Sequence, residues 1–250
     1  MRLTYIFHSG FVLETSRCVL VFDYWMDPAS VLSDFLQSEK PMYVFSSHFH
    51  EDHFSKQIFT WKAYKSNILY ILSKDILKHR RAYKEEADVW LAKGGEWRDD
   101  AVQVTATGST DSGVSWIITI EGKCIFHAGD LNNWYSRFLA ESYHDAQAYS
   151  TEFGINIDPL KEEKRYLGEL KDIRKKTACF DVAMFPIDGR IGNGYTRGGR
   201  QFIETFNVGL FVPMHFAASG FESAWRMKEF TDARHIRFWN ISHEGEAIDV

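Results

Sequence analysis

Three cysteines, Cys18, Cys124 and Cys179, are all that this chain of 250 residues contains. They are odd in number, far apart and without C-x-x-C spacing. This argues against a disulfide framework and makes a reducing cytoplasm the expected compartment. No apolar run reaches the ~18 residues that a membrane span needs. Residues 1–8 show neither a long apolar signal region nor a cleavage-site pattern. Positive charge is also short: 29 Lys and Arg stand against 34 Asp and Glu, a net charge of -5. That balance favours solubility and leaves no basic footprint for nucleic acid. The chain has no internal repeat, no low-complexity tract and no linker, so one domain over residues 1–250 is expected, large enough for a sizeable core. Gly-x-Ser-x-Gly is absent and Cys124 falls in mid-strand, so no serine or cysteine nucleophile is indicated.

What the chain does have is aromatic residues, 20 Phe, 11 Tyr and 8 Trp. Each buries much area, which predicts a dense core or an aromatic-lined cleft. Three short strand-like runs, 3–7, 11–14 and 18–22, read as an antiparallel meander. A short helix over 31–36 and a strand over 42–45 follow. Strands are then predicted at 68–72, 89–91, 102–107, 114–120 and 123–128, with a tight turn at Glu121-Gly122 and a helix over 74–83. Leu131, Trp134, Tyr135, Phe138 and Leu139 fall on one helical face. Leu160, Leu167, Leu170 and Ile173 repeat that stripe among charges that read as a solvated face. Residues 149–159 between them read as a loop or lid. Strands at 181–185, 209–212 and 236–239 alternate with helices over 200–206 and 222–230. The order predicts an α+β fold of two mixed sheets with helices outside.

Directly after the strand at 42–45 the chain reads Ser46-Ser47-His48-Phe49-His50-Glu51-Asp52-His53. His and Asp are rarely fully buried without partners, and three imidazoles crowded together repel if protonated, whereas a divalent cation takes neutral imidazole nitrogen and carboxylate oxygen. His48 and His50 lie two apart at a strand end, so both point to one side and can chelate one ion. Asp52 and His53 are placed to reach a second ion a few Å away.

This H-x-H-x-D-H stretch resembles the metal-binding signature of the metallo-β-lactamase superfamily. His127-Ala128-Gly129-Asp130 resembles its later strand-end Gly-Asp, and Pro213-Met214-His215-Phe216 the strand end that delivers its last histidine. His8-Ser9-Gly10-Phe11 and Val21-Phe22-Asp23 resemble the opening hairpins of the ascorbate-6-phosphate lactonase-like subgroup. The resemblance covers nearly the whole chain. It implies a four-layered αββα sandwich of two mixed β-sheets, here with a helical insertion around 131–178. It also implies one ion on His48 and His50, another on Asp52, His53 and His215, and Asp130 bridging them. His127 reads as structural or as support behind a ligand.

The pattern departs from the family after the strand at 102–107. A histidine is expected there, yet none occurs between His79 and His127. Ser109, Thr110 or Asp111 could substitute, and Asp111 is the best of them chemically because it brings charge. Zinc is the expected metal, with manganese or iron gaining as oxygen replaces nitrogen, and one or two ions per chain remain open. A divalent ion lowers the pKa of its bound water towards ~7, so a metal-bound hydroxide would attack an ester, lactone or phosphoester, with Asp52 orienting the water and His215 completing the catalytic set. His8, Asp23 and Asp188 are expected to support metal ligands or substitute for them. Arg190, Tyr195 and Arg197, in a glycine-rich stretch before a helix, are expected to clamp an anionic small-molecule substrate. The competing functions are a metal-binding protein of this fold that has lost catalysis and a phosphodiesterase or nuclease. Neither nucleic acid nor membrane is expected as a partner. The resemblance implies a homo-oligomer.

Overall fold

The protein is described by a computed structural model covering residues 1–140, 146, 148, 150, 151, 154 and 157–250. Residues 149, 152, 153, 155 and 156 of the expected loop or lid at 149–159, and part of the expected helical insertion, lie outside these residues, while 150 and 151 are helical and Pro159 opens a helix. Strands β1 (Arg2–Phe7), β2 (Gly10–Glu14), β3 (Val19–Phe22), β4 (Met42–Ser46), β5 (Ile68–Ser73) and β6 (Val89–Leu91) form one sheet. Strands β7 (Glu96–Arg98), β8 (Val102–Gly108), β9 (Val114–Ile120), β10 (Lys123–His127), β11 (Cys179–Pro186), β12 (Asn207–Met214) and β13 (Arg237–Phe238) form the other. The last strand, β14 (Ala247–Asp249), returns to the first sheet beside β1, so each sheet has seven strands in the orders β14-β1-β2-β3-β4-β5-β6 and β13-β12-β11-β10-β9-β8-β7.

Period-two patterning explains why the sheets lie in the middle. In β2 to β4, Phe11, Leu13, Leu20, Phe22, Tyr43 and Phe45 join the core shared with Trp116, Ile118 and Phe126 of the other sheet. Their neighbours Val12, Val19, Val21, Met42 and Val44 pack outward against Leu32, Phe54, Ile58, Trp61 and Ile76. Strands that are apolar on both faces need cover on both sides. On the far sheet that cover comes from the helices Pro159–Arg174 and Arg197–Thr205, which bury Tyr166, Leu170, Ile173, Phe202 and Ile203. The fold is thus α+β, with two mixed sheets and helices outside, as the sequence predicts.

Three local expectations are corrected, and two strands were not foreseen. The helix expected from Leu131 begins only at Arg137. The intervening backbone is held by other groups: the Thr110 hydroxyl donates to the Asn132 carbonyl at 2.6 Å and the Trp134 indole donates to the Asp130 carbonyl at 2.8 Å. The helix expected over 74–83 stops at Lys78, and Arg80 sits at φ 55°, outside helical geometry. The one expected over 222–230 is split into Phe221–Ala224, the 3₁₀ turn Trp225–Met227 and Lys228–Asp232. The edge strands β7 and β14 were not legible, because three residues mixing charge with one or two apolar side chains carry no period.

The topology positions the site. β1, β3 and β4 run parallel within the first sheet, and β10, β11 and β12 run parallel within the second. Their C-terminal ends carry His8, Asp23, the His48–His53 stretch, Asp130, Asp188 and His215. The His215 amide donates to the His8 carbonyl at 3.0 Å, which joins the two sheets at this end. No helix among the described residues is long and apolar enough to cross a membrane.

Candidate metal centre

Three of these residues leave their strands by a kink. His8, Asp23 and His215 take φ 56°, 40° and 65°, left-handed values uncommon outside glycine. The kinks turn the side chains in toward the seam between the sheets. Gly129, at φ 51°, does the same for Asp130: a Cβ there would lie 2.8 Å from both Ser47 Cβ and the Val114 carbonyl. Only glycine lets the strand end approach so closely.

The side chains form two donor groups that reach the cleft, and a third set, Asp23, His48 and His53, lies wholly buried. The ligand atoms of His8, Asp52, His53 and His215 all lie within 4.8 Å of one another, and so do those of His48, His50, Asp111 and Asp130. Asp130 faces both groups. Its Oδ1 lies 3.0 Å from His53 Nε2 and 3.3 Å from His215 Nε2, while its Oδ2 lies 3.3 Å from His48 Nε2. Within the outer group His48 Nε2 and His50 Nδ1 are 3.0 Å apart. In the inner one Asp52 Oδ2 lies 3.3 Å from His8 Nε2 and 3.7 Å from His215 Nε2.

These donors fit a cation better than they fit each other. His8 Nε2, His53 Nε2, His215 Nε2 and Asp130 Oδ1 are buried with no hydrogen-bond partner, although several lie close together. Buried polar atoms normally find partners, and a convergent set without them is what a metal would complete. The opposite ring nitrogens are held from behind. His53 Nδ1 meets Asp23 Oδ2 at 2.6 Å, His215 Nδ1 meets Asp188 Oδ2 at 3.0 Å, and His48 Nδ1 meets Ser47 Oγ at 3.0 Å. Such contacts fix ring orientation and tautomer.

The electrostatics follow from burial and crowding. Burial pushes the His8 imidazole down to about 4, against the pull of Asp52. Burial alone would raise the Asp130 carboxyl, but His53, His215 and His48 around it hold it well below the usual range. Asp52 is lowered in the same way, burial being outweighed by His8 and His53. Asp188, buried but bonded by His215 and Arg190, is held at about 2.

A cleft of about 500 Å³ opens over the centre, lined by Asp52, Asp111, Asp130 and His215 together with Trp134, Tyr135, Ile157, Glu162, Arg165 and Arg190. Trp134 stands edge-on to His215, with ring centroids 5.3 Å apart.

The structure thus brings together His48, His50, Asp52, His53, Asp130 and His215, and adds His8 and Asp111 to their donor groups. Asp23 and Asp188 stand behind the histidines. Ser109 keeps a buried hydroxyl without a partner. His127 faces away: its Nε2 donates to the Ser9 carbonyl at 2.9 Å, and its ring stacks on Phe22. The arginine clamp is corrected. Arg190 reaches the cleft but is bound to Asp188 at 2.6–3.0 Å. Arg197 pairs with Glu163 at 2.6 Å, and the Tyr195 hydroxyl donates to the Ser223 carbonyl at 2.6 Å, so neither lines the cleft. Sequence reasoning missed Glu162 and Arg165. They lie on the charged stripe taken for a plain solvated face, and periodicity does not tell a cleft from bulk water.

A family model described as the beta-lactamase superfamily domain matches residues 2–142. A UPF0173 metal-dependent hydrolase of Opitutus terrae is 25% identical over 241 residues, covering 86% of this chain and 85% of the relative. Among solved structures, Igni18, a metallo hydrolase from Ignicoccus hospitalis, matches with a TM-score of 0.64 at 18% identity, covering 99% of this chain and 97% of that one. Isothiocyanate hydrolase from Delia radicum gut bacteria matches with a TM-score of 0.55 at 13% identity, covering 100% and 99%. At these identities the structural matches show the fold alone.

Proposed function

The chain belongs to the beta-lactamase superfamily domain family, and from that premise we propose that it is a metal-dependent hydrolase. Its centre is built from His48, His50, Asp52, His53, Asp130 and His215, with His8 as the third imidazole of the inner group. The observation that carries this reading is the convergence of His53 Nε2, His215 Nε2 and Asp130 Oδ1 under an open cleft, all buried and none with a hydrogen-bond partner. These residues would hold a divalent ion, zinc or in its place manganese or iron, which when bound would supply water activated at neutral pH and polarise the bond under attack.

The chain's own residues supply the rest of the chemistry. Asp23 and Asp188 accept from Nδ1 of His53 and His215, so Nε2 of each presents a lone pair to the centre. Asp52 is the part-open carboxylate of the inner group and faces the cleft, which suits it to orient the attacking water and to pass a proton. Trp134, Tyr135 and Ile157 give the cleft an apolar wall that limits water. Arg165, paired with Glu162 at 3.2 Å, and Arg190, paired with Asp188 at 2.6 Å, are the two cations of a lining that also holds Asp52, Asp111, Asp130 and Glu162, and the substrate proposed is a small ester, lactone or phosphoester whose anionic group would meet these guanidinium groups. The lactone rests on the likeness of the opening hairpins to the lactonase-like subgroup.

Elemental analysis of the purified protein tests the reading, together with a panel of aryl esters, lactones and phosphodiesters. At least one transition metal per chain and turnover abolished by a chelator are expected. No bound metal after growth with added zinc or manganese overturns it.

A further inference from the structure

We infer that Asp111 is a metal ligand of the outer subsite, completing His48, His50 and Asp130, and that this carboxylate suits the subsite to a harder ion such as manganese(II) or iron(II). The inference rests on the metal-centre reading above and specifies one half of it.

The turn that carries Asp111 is clamped on both sides. It joins β8 to β9. At its far end the Val114 amide donates to the Ser47 carbonyl at 3.0 Å. Gly113 sits there at φ 65°, and a Cβ on it would overlap the Ser47 carbonyl oxygen and lie 2.6 Å from His48 Cβ. The turn is therefore seated on the backbone that bears His48. At its near end Thr110 Oγ1 donates to the Asn132 carbonyl at 2.6 Å and accepts from the Asn132 amide at 2.9 Å, two residues from Asp130. Asp111 lies between the two clamps, with Oδ2 3.4 Å from His50 Nδ1.

The same contacts decide among the three candidates in this turn. The Thr110 hydroxyl is spent on Asn132. Ser109 offers only a neutral oxygen, a weaker partner for a divalent ion than a carboxylate. Asp111 pairs with no lysine or arginine among the described residues, and its donor atom falls within 4.8 Å of the others.

The two groups then differ in kind. The inner one has three imidazoles, from His8, His53 and His215, and all three rings are buried. The outer one has two imidazoles and two carboxylates, and its His50 and Asp111 side chains are 40% and 45% exposed. Oxygen donors and room for water suit manganese(II) or iron(II), while imidazole-rich, enclosed donors suit zinc.

Metal-stripped protein is titrated with manganese(II), with calorimetry for affinity, electron paramagnetic resonance for paired against single ions, and elemental analysis after desalting. Wild type takes two ions per chain. Asp111→Ala keeps one and binds the second more than about 100-fold more weakly, beyond the loss typical of a supporting contact. Asp111→Asn, which preserves shape, behaves like Asp111→Ala and decides the matter if the alanine variant folds poorly. Asp111→His restores two ions and shifts the outer preference from manganese to zinc. A second manganese ion bound as tightly by Asp111→Ala and Asp111→Asn as by wild type overturns the assignment while leaving the inner centre intact. So does a wild type with a single ion that both variants keep. A wild type that binds no ion overturns the centre and Asp111 with it.

Discussion

Oδ2 of Asp23 lies 2.6 Å from Nδ1 of His53, and both side chains are fully buried. The contact spans 30 positions of sequence and joins the ends of two neighbouring parallel strands. Asp23 also accepts from the Ser47 amide at 2.7 Å and the Ser47 hydroxyl at 2.6 Å. One carboxylate thus holds both the turn into the histidine stretch and the ring that faces the centre.

Replacing Asp23 separates those two roles. Asp23→Asn keeps the shape but removes the charge that sets the His53 tautomer, and metal affinity is expected to fall by about 10–100-fold. Asp23→Ala leaves buried donors unpaired and is expected to cost ~3–5 kcal/mol in denaturant unfolding. Calorimetric metal titration of Asp23→Asn checks the first point; an affinity equal to wild type would remove Asp23 from the centre.

Metal removal should be visible in stability. Ions that bind the crowded donors of the native state and not the unfolded chain stabilise by about 2.7 kcal/mol at 100 times their dissociation constant. Thermal melts of chelated protein are expected to shift down, and to recover when zinc or manganese is returned. A melting temperature indifferent to chelator and metal tells against a bound ion.

Asp52 is expected to act on rate more than on structure. Its side chain is part-exposed to the cleft, and Asp52→Asn should fold normally. The rate constant kcat on any substrate found by the panel should drop by about 10²–10⁴-fold, the range for loss of a positioned proton-transfer group. Wild-type turnover in Asp52→Asn would place the proton transfer on another residue.

Glu163 gives a pH-dependent prediction away from the metal centre. It accepts from Arg197 at 2.6 Å, Gln201 at 2.7 Å and Asn133 at 2.9 Å, tying the helices Pro159–Arg174 and Arg197–Thr205 to the cleft-side turn. Burial would raise its carboxyl, but the bonds from Arg197 and Gln201 outweigh this and hold it below the ordinary value of 4.5. A depressed carboxyl contributes stability that is present above its unfolded value and lost as pH falls through the folded one. Glu163→Gln should therefore be less stable than wild type by about 1–3 kcal/mol at neutral pH, and the gap should close below pH 4.5. A gap constant from pH 7 to pH 3 would show that the charge of Glu163 contributes nothing.

The strands that carry the donors were readable before any tertiary contact was known. Runs such as 42–45 and 114–120 announce themselves by apolar, β-rich composition, and β9 (Val114–Ile120) has the expected bounds. The helix expected from Leu131 was not readable, because its backbone groups are taken by Thr110 from a different part of the chain. The short edges Glu96–Arg98 and Ala247–Asp249 owe their pairing to neighbours rather than to their own residues.

The candidate site divides along the same line. Spacing within eight residues placed His48, His50, Asp52 and His53 together, because a strand end and the turn after it are local geometry. Asp130 and His215 entered through likeness to a family pattern, which is an ordering of anchors and not a distance. Which atoms face one another was decided only by the packing of two sheets face to face. It drew His8 and Asp111 into the donor groups, put Asp23 and Asp188 behind them, and turned Tyr195 and Arg197 away. The reason is physical. A side chain's identity sets what it can bind, but the partners it meets across 30 or 200 positions depend on kinks and close approaches, such as those at Asp23, Gly129 and His215, that only the assembled sheets enforce.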